Sequence, residues 1–169
     1  FSRHTAAFYP ALIESVATAV AARGLPLALF PVTVGAPGAP LLSSLSQSRV
    51  DHVLVAAPVA PEVIESLLAR RVRVVALNDH VDRPDVPVVA CDQRTSMAAL
   101  VRDLRRRGHR RFGIVAGPAR SRVGRDRLQG ALDVLESDDE ASVRTVAGDY
   151  TYDGGAEAAR ALLAEGLPD

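Results

Sequence analysis

The feature that most limits how this chain can fold is an alternation. Short apolar runs, too brief for helices, take turns with stretches whose apolar residues recur every three or four positions. The runs are Leu27–Val32, His52–Pro58, Val72–Leu77, Val86–Cys91, Phe112–Ala116 and Val143–Ala147. Between them, Ile13/Val16/Ala17/Val20, Leu41/Leu42/Leu45, Ile64/Leu67/Leu68, Met97/Leu100/Val101/Leu104, Leu128/Ala131/Leu132/Leu135 and Ala159/Leu162/Leu163 each describe one stripe of a helix. Runs that are apolar on both faces are the signature of strands covered on both sides, and parallel strands joined by helices cross over with a right hand. The expectation is an α/β protein built on doubly wound parallel sheet.

Local signals place the ends. Gly24 and Gly108 follow helical stripes and suit left-handed caps. Pro61 sits where a first helical turn tolerates proline, and Pro31 closes the Leu27–Val32 strand. The Gly35–Pro40 segment, G-A-P-G-A-P, is expected to be a loop, and its two glycines do not match a dinucleotide fingerprint. The stretch Asp92–Leu135 gives the plan of a second unit: Asp92 as N-cap, a helix, the Gly108 stop, a strand, a Gly117-Pro118 loop, and a helix with arginines in its first turn. After Asp169 the alternation calls for another strand. Two strands and three helices make a thin sheet for the second unit, so the natural polypeptide is expected to continue.

Twenty basic residues, all of them arginine, balance twenty acidic ones. No net field draws this segment to nucleic acid or to a membrane surface, and Arg105, Arg106 and Arg107 are read as solvated charges on a helix's last turn. The absence of lysine excludes a Walker phosphate loop and Schiff-base chemistry within these residues. The four histidines do not fall at metal-ligand spacing with cysteine or acidic partners, and no nucleophile elbow is present. Neither enzyme activity, nor a metal, nor a cofactor is expected. The lone Cys91 fits a reducing compartment, and cytoplasmic location is the expectation.

Four stretches together resemble one family. They are T-A-A-F-Y-P before the first helix; R-V-D-H-V-L-V-A-A-P; the long run V-V-A-C-D-Q-R-T-S-M-A-A-L-V-R-D-L-R-R-R-G-H-R-R-F-G-I-V-A-G-P; and R-D-R-L-Q-G followed by G-D-Y-T-Y-D-G-G. In order and spacing these are similar to the effector-binding core of the lactose-repressor/galactose-repressor (LacI/GalR) family of bacterial transcription factors. The resemblance implies a two-lobed periplasmic-binding-protein-like fold, residues 1–91 forming the N-terminal lobe and 92–169 part of the C-terminal lobe. A small-molecule effector of the sugar or nucleoside class would bind between the lobes. The resemblance further implies a homodimer, and operator DNA read through a helix-turn-helix domain upstream of Phe1. An exported sugar-binding protein of a transport system shares the fold and is the competing reading.

Ligands of open α/β sheets gather beyond the carboxyl ends of the strands, which here selects the loops around Phe8, Ala57, Asn78, Ser121 and Tyr150. By the resemblance Arg127 matches the family's effector-contacting arginine and would supply a planar fork of donors, unless it pairs locally with Asp126. Arg125 would contact ligand, orient the loop or face solvent. Asn78 stands where the family commonly has an aspartate, so a carboxylate for sugar hydroxyls is lacking there, and Asp79 beside it either substitutes or forms the turn. Tyr150 matches an aromatic position of the cleft and would form a wall or pack between lobes. Phe8 and Tyr9 would close another wall or staple the first helix. Ser121 completes the candidate set.

Overall fold

A computed structural model describes residues 8–32, 37–78, 81, 83–119, 121–164 and 166. The chain divides into two compact units, Ala17–Cys91 and Asp92–Asp169, the latter grouped with Phe1–Val16. No described helix is long and apolar enough to cross a membrane.

In the first unit, β1 (His52–Val55), β2 (Arg73–Leu77) and β3 (Val88–Val89) form a parallel sheet in that order. Helix α3 (Pro61–Ala69) makes the crossover from β1 to β2, with Pro61 in its first turn as the sequence suggests. Its stripe supplies the three largest fully buried side chains, Val63, Ile64 and Leu67. These pack with Leu45 of α2 (Gly38–Gln47), Val74 and Ala76 of β2, and Val72 and Val86. Helix α1 (Phe8–Ala21), whose residues up to Val16 group with the second unit, buries none of its residues; the turn after it reaches Gly24, φ +67°, and the Leu25 amide donates to the Val20 carbonyl.

Several expectations are corrected here. Leu27–Val32 is not a strand: a strand is held by ladder bonds to a neighbour, and no described residue pairs with this run. Phe30 alone turns toward the core, leaving Leu27 and Leu29 exposed. The Gly35–Pro40 loop stops short, because Gly38–Pro40 form the first turn of α2, where proline's missing N–H costs nothing; residues 33–36 lie outside the described set. Phe8 and Tyr9 stand inside α1 and not in a loop before it. The strand expected over Val86–Cys91 shrinks to two residues, since Pro87 contributes only its carbonyl, which accepts from Ala76 N–H.

In the second unit β4 (Arg111–Ala116) and β5 (Ser142–Ala147) are parallel neighbours in register from Arg111–Ser142 to Ala116–Ala147. Helices α4 (Gln93–Arg106), α5 (Arg122–Leu135) and α6 (Tyr152–Ala164) cover them. Asp92 caps α4 by accepting the Thr95 amide at 3.0 Å, and that bond holds its carboxyl below the usual carboxylate range. The helix closes at Gly108, φ +100°, with the paired bonds His109 N–H to Leu104 O and Gly108 N–H to Arg105 O. Val101, Ala131 and Leu135 form the core, with Phe112, Ile114 and Val143 against it. Leu100, placed on the core stripe by its spacing, is 52% exposed, and the buried residues of α4 are Ala98 and Val101.

The Arg105–Arg107 cluster also divides. Arg106 and Arg107 are exposed and share Asp103. Arg105 has only 12% of its side chain exposed; it binds Asp138 and donates to the His109 carbonyl at 2.8 Å. It ties the end of α4 to the loop after α5. A helix-end arginine with a carboxylate within reach across the fold gains more by that bond than by solvation alone.

Arg71, at φ +61°, follows α3 in the position where a glycine is best suited: its own amide donates to Leu68 O, and the Val72 amide to Leu67 O. A left-handed backbone costs an L-residue more than it costs glycine. Arg71→Gly is expected to stabilise the first unit by about 0.5–1 kcal/mol. Denaturant melts with an unchanged or lowered midpoint would show that the Arg71 side chain stabilises more than its backbone costs.

Candidate functional site

The carboxyl ends of the strands carry most of the predicted residues, in two separate groups. In the first unit β2 runs into Asn78, whose backbone turns left-handed at φ +62° while its amide donates to Val89 O at 2.8 Å. Asparagine tolerates that conformation better than most residues, which explains an amide where a turn must follow a buried strand at once. Asn78 is half-buried. Asp79 falls outside the described residues. Ala56 and Ala57, beyond β1, are half-buried and bring no polar group. Phe8 and Tyr9, in the stretch that groups with the second unit, stack edge to face with ring centres 5.3 Å apart, Phe8 being half exposed. An apolar groove of about 710 Å³ also lies in the first unit, between Phe30, Val32, Leu41, Pro58 and Val63, with Ser44 and Glu62 as polar lining. None of the predicted residues lines it.

In the second unit three predicted residues converge on the start of α5. Ser121 is its N-cap, its hydroxyl accepting the Gly124 amide at 3.2 Å. The same hydroxyl lies 3.3 Å from that of Tyr150. Tyr150 follows β5 in a left-handed conformation, φ +65°, which a bulky residue adopts only when its surroundings enforce it. Those surroundings are two glycines. A Cβ on Gly117 would lie 2.5 Å from Tyr150 Cζ, and one on Gly124 would lie 2.8 Å from the Tyr150 hydroxyl. The loop beyond β4 and the first turn of α5 thus form a shelf, without side chains at the contact, on which the Tyr150 ring rests. On the other side, Asp149 accepts from Thr151 N–H and Oγ1 at 2.9 and 2.6 Å, and Thr151 Oγ1 accepts the Gly154 amide at the start of α6. Both flanks of Tyr150 are therefore fixed by short-range bonds.

The arginines of α5 sort by partner. Arg122 faces Asp126 at 3.6 Å, so Asp126 is engaged by Arg122 and not by Arg127. Arg125 donates to Ala119 O at 2.7 Å and braces the loop before the helix. Arg127 is exposed and donates its Nε–H to Gln93 Oε1 on α4, at 2.7 Å. Among the described residues no carboxylate pairs with it. Gln93 and Gly124 were not singled out in the sequence, and Gly117 only as part of a loop. Only their neighbours, Asp92 as a cap and Gly117-Pro118 as a loop, carried a visible signal there.

Two contacts fix α4 against α5 beside this group. Arg94 forks onto Asp133 with bonds of 2.6 and 2.8 Å, holding that carboxyl below its ordinary range. Gly130 lets the backbone of Arg94 approach: a Cβ there would lie within 3.0 Å of its carbonyl carbon and Cα, and closer still to its oxygen. What this arrangement offers chemically is a planar cation, an aromatic face and a hydroxyl around the start of one helix. Groups of these three kinds are the ones that recognise polar, ring-shaped molecules. Among the described residues no cluster of histidine, cysteine, aspartate or glutamate is placed to hold a metal ion.

Residues 2–169 match the family described as periplasmic binding proteins and the sugar binding domain of the LacI family. An uncharacterised helix-turn-helix-type transcriptional regulator from the region upstream of aml in Streptomyces limosus is 28% identical over 170 residues, covering 94% of this chain and 48% of that protein. A LacI transcriptional regulator from a Rhodococcus species superposes with a TM-score of 0.82 at 24% identity, over 99% of this chain and 62% of its own. The transcriptional regulator CelR, in complex with cellobiose, superposes with a TM-score of 0.78 at 28% identity, over 93% of this chain and 50% of its own. The chain therefore spans about half to three fifths of the proteins it matches.

Proposed function

The chain belongs to the family of periplasmic binding proteins and LacI-type sugar-binding domains, and from that premise we propose that it is the effector-sensing part of an intracellular LacI-type transcriptional regulator. Residues 1–91 and 92–169 correspond to the two lobes, and the effector is a sugar, sugar phosphate or nucleoside. The observation that carries this reading is the group at the start of α5: Tyr150 held on its glycine shelf in a left-handed conformation, with Arg127 free of any described carboxylate two turns away. A strained aromatic costs stability and is useful when a ligand supplies the missing contacts, and an exposed arginine without a carboxylate keeps its full charge for a ligand. Asn78 carries a donor and an acceptor, and Arg125 holds the loop before α5. In a homodimer, effector binding shifts the balance between lobe arrangements and with it the spacing of two DNA-binding domains on an operator.

The full chain, screened by thermal shift against cellobiose, other sugars, sugar phosphates and nucleosides, is expected to gain melting temperature with one class, because a ligand that binds only the folded state stabilises it. With the ligand so found, Arg127→Ala weakens binding at least about tenfold, the size of a lost charge-assisted hydrogen bond. Unchanged affinity by calorimetry removes Arg127 from the site. The family description covers transport proteins as well as regulators, and the coding sequence upstream separates them. A helix-turn-helix region there favours the regulator, a signal peptide the exported sugar-binding protein.

A further inference from the structure

The contact between Arg127 and Gln93 goes beyond the reading just given, though it rests on Arg127 being a ligand donor. A guanidinium can present two edges: the end-on pair of terminal nitrogens, or the side edge made by Nε and one of them. Gln93 Oε1 takes the Nε–H at 2.7 Å, which closes the side edge and leaves the end-on pair. A glutamine also differs from a carboxylate in what it leaves behind. It accepts the hydrogen bond without neutralising the charge, so the full cation stays available to a ligand.

Gln93 is flanked on both sides by bonds that cap α4 and hold it to α5. Before it, the Asp92 cap bonds the Thr95 amide at 3.0 Å and sets where the helix starts. After it, Arg94 forks onto Asp133 of α5, and Gly130 admits the Arg94 backbone against that helix. Gln93 and Arg127 thus face each other across a helix pair whose spacing is set by their neighbours. We propose that Gln93 is the positioning residue for Arg127, holding its guanidinium with the two terminal nitrogens presented to the effector's oxygens.

The test begins without ligand. In the full chain, the Arg127 Nε–Hε signal in nitrogen-15 NMR is assigned by its loss in Arg127→Lys. Its exchange with solvent is expected to be about tenfold faster in Gln93→Ala than in the parent and no faster than the parent in Gln93→Glu, whose carboxylate accepts the same bond more strongly. Equal exchange in the parent and Gln93→Ala overturns the proposal. The second measurement is calorimetry with cellobiose and with fructose 1-phosphate. Gln93→Ala weakens whichever probe binds by about three- to tenfold, and has no effect in an Arg127→Ala background. Equal weakening in both backgrounds shows a general structural role and also overturns it. A parent chain that binds neither probe counts against Arg127 as a ligand donor, and the exchange rates then decide alone for or against Gln93.

Discussion

Gly130→Ala is expected to destabilise the second unit by about 1–3 kcal/mol, although it adds only one methyl group. The added Cβ would meet the Arg94 backbone: 2.9 Å to its carbonyl carbon, 3.0 Å to its Cα, and less to its oxygen. A flexible side chain could rotate away, but a helix backbone has to translate. Moving α4 off α5 stretches the Arg94–Asp133 fork and the Gln93–Arg127 bond together, and it loosens Val101 against Ala131 and Leu135, the only fully buried residues of that cluster. Urea unfolding of the variant should show a lowered midpoint with an unchanged slope. An unaltered midpoint would mean that α4 and α5 are not this close in solution. The mechanism is distinct from a glycine's conformational freedom, since Gly130 lies within a helix where any residue's backbone fits. Helix propensity taken alone favours alanine by about 1 kcal/mol, so a net loss isolates the steric term.

Much of this architecture was legible because it depends on neighbours in sequence. The stripe of α3, the Asp92 cap, the glycine stops at Gly24 and Gly108 and the parallel strands β1, β2, β4 and β5 follow from spacing and residue type. The failures depend on partners far along the chain. Leu27–Val32 has strand composition and no strand to pair with, Leu100 has core spacing and a solvent position, and Arg105 has a surface pattern and a carboxylate 33 residues away. The candidate site divides in the same way. Arg125, Arg127, Asn78 and Tyr150 were visible through a resemblance of motifs and Ser121 through its place beyond a strand, and all five lie around α5 or at a strand end. Gln93 was not, because a glutamine after a cap has no local signature; its meaning comes from the helix across from it. Phe8 and Tyr9 were visible as aromatics, but the structure puts them in the first turn of α1 and not in a loop before it.

The largest loss is expected in the first unit, where Leu67→Ala should cost about 2–5 kcal/mol. Leu67 is 1% exposed and sits with Val63 and Ile64 in the layer between α3 and the three-stranded sheet. Its backbone carbonyl also accepts the Val72 amide that turns the chain from α3 toward β2, so the residue joins the packing of the helix to its exit. Truncation removes the packing and leaves the turn. The cavity cannot close easily, because the residues around it, Val74 and Ala76 among them, are held in register by ladder bonds to β1 and β3. The two cores share no buried residue, so the effect should stay local: amides of α3, β1 and β2 lose hydrogen-exchange protection, while those of α4, α5, β4 and β5 keep theirs. In Gly130→Ala the pattern should invert. Loss of protection in both units from either substitution would show that they unfold as one cooperative body, and in that case the two destabilisations would be read from a single transition.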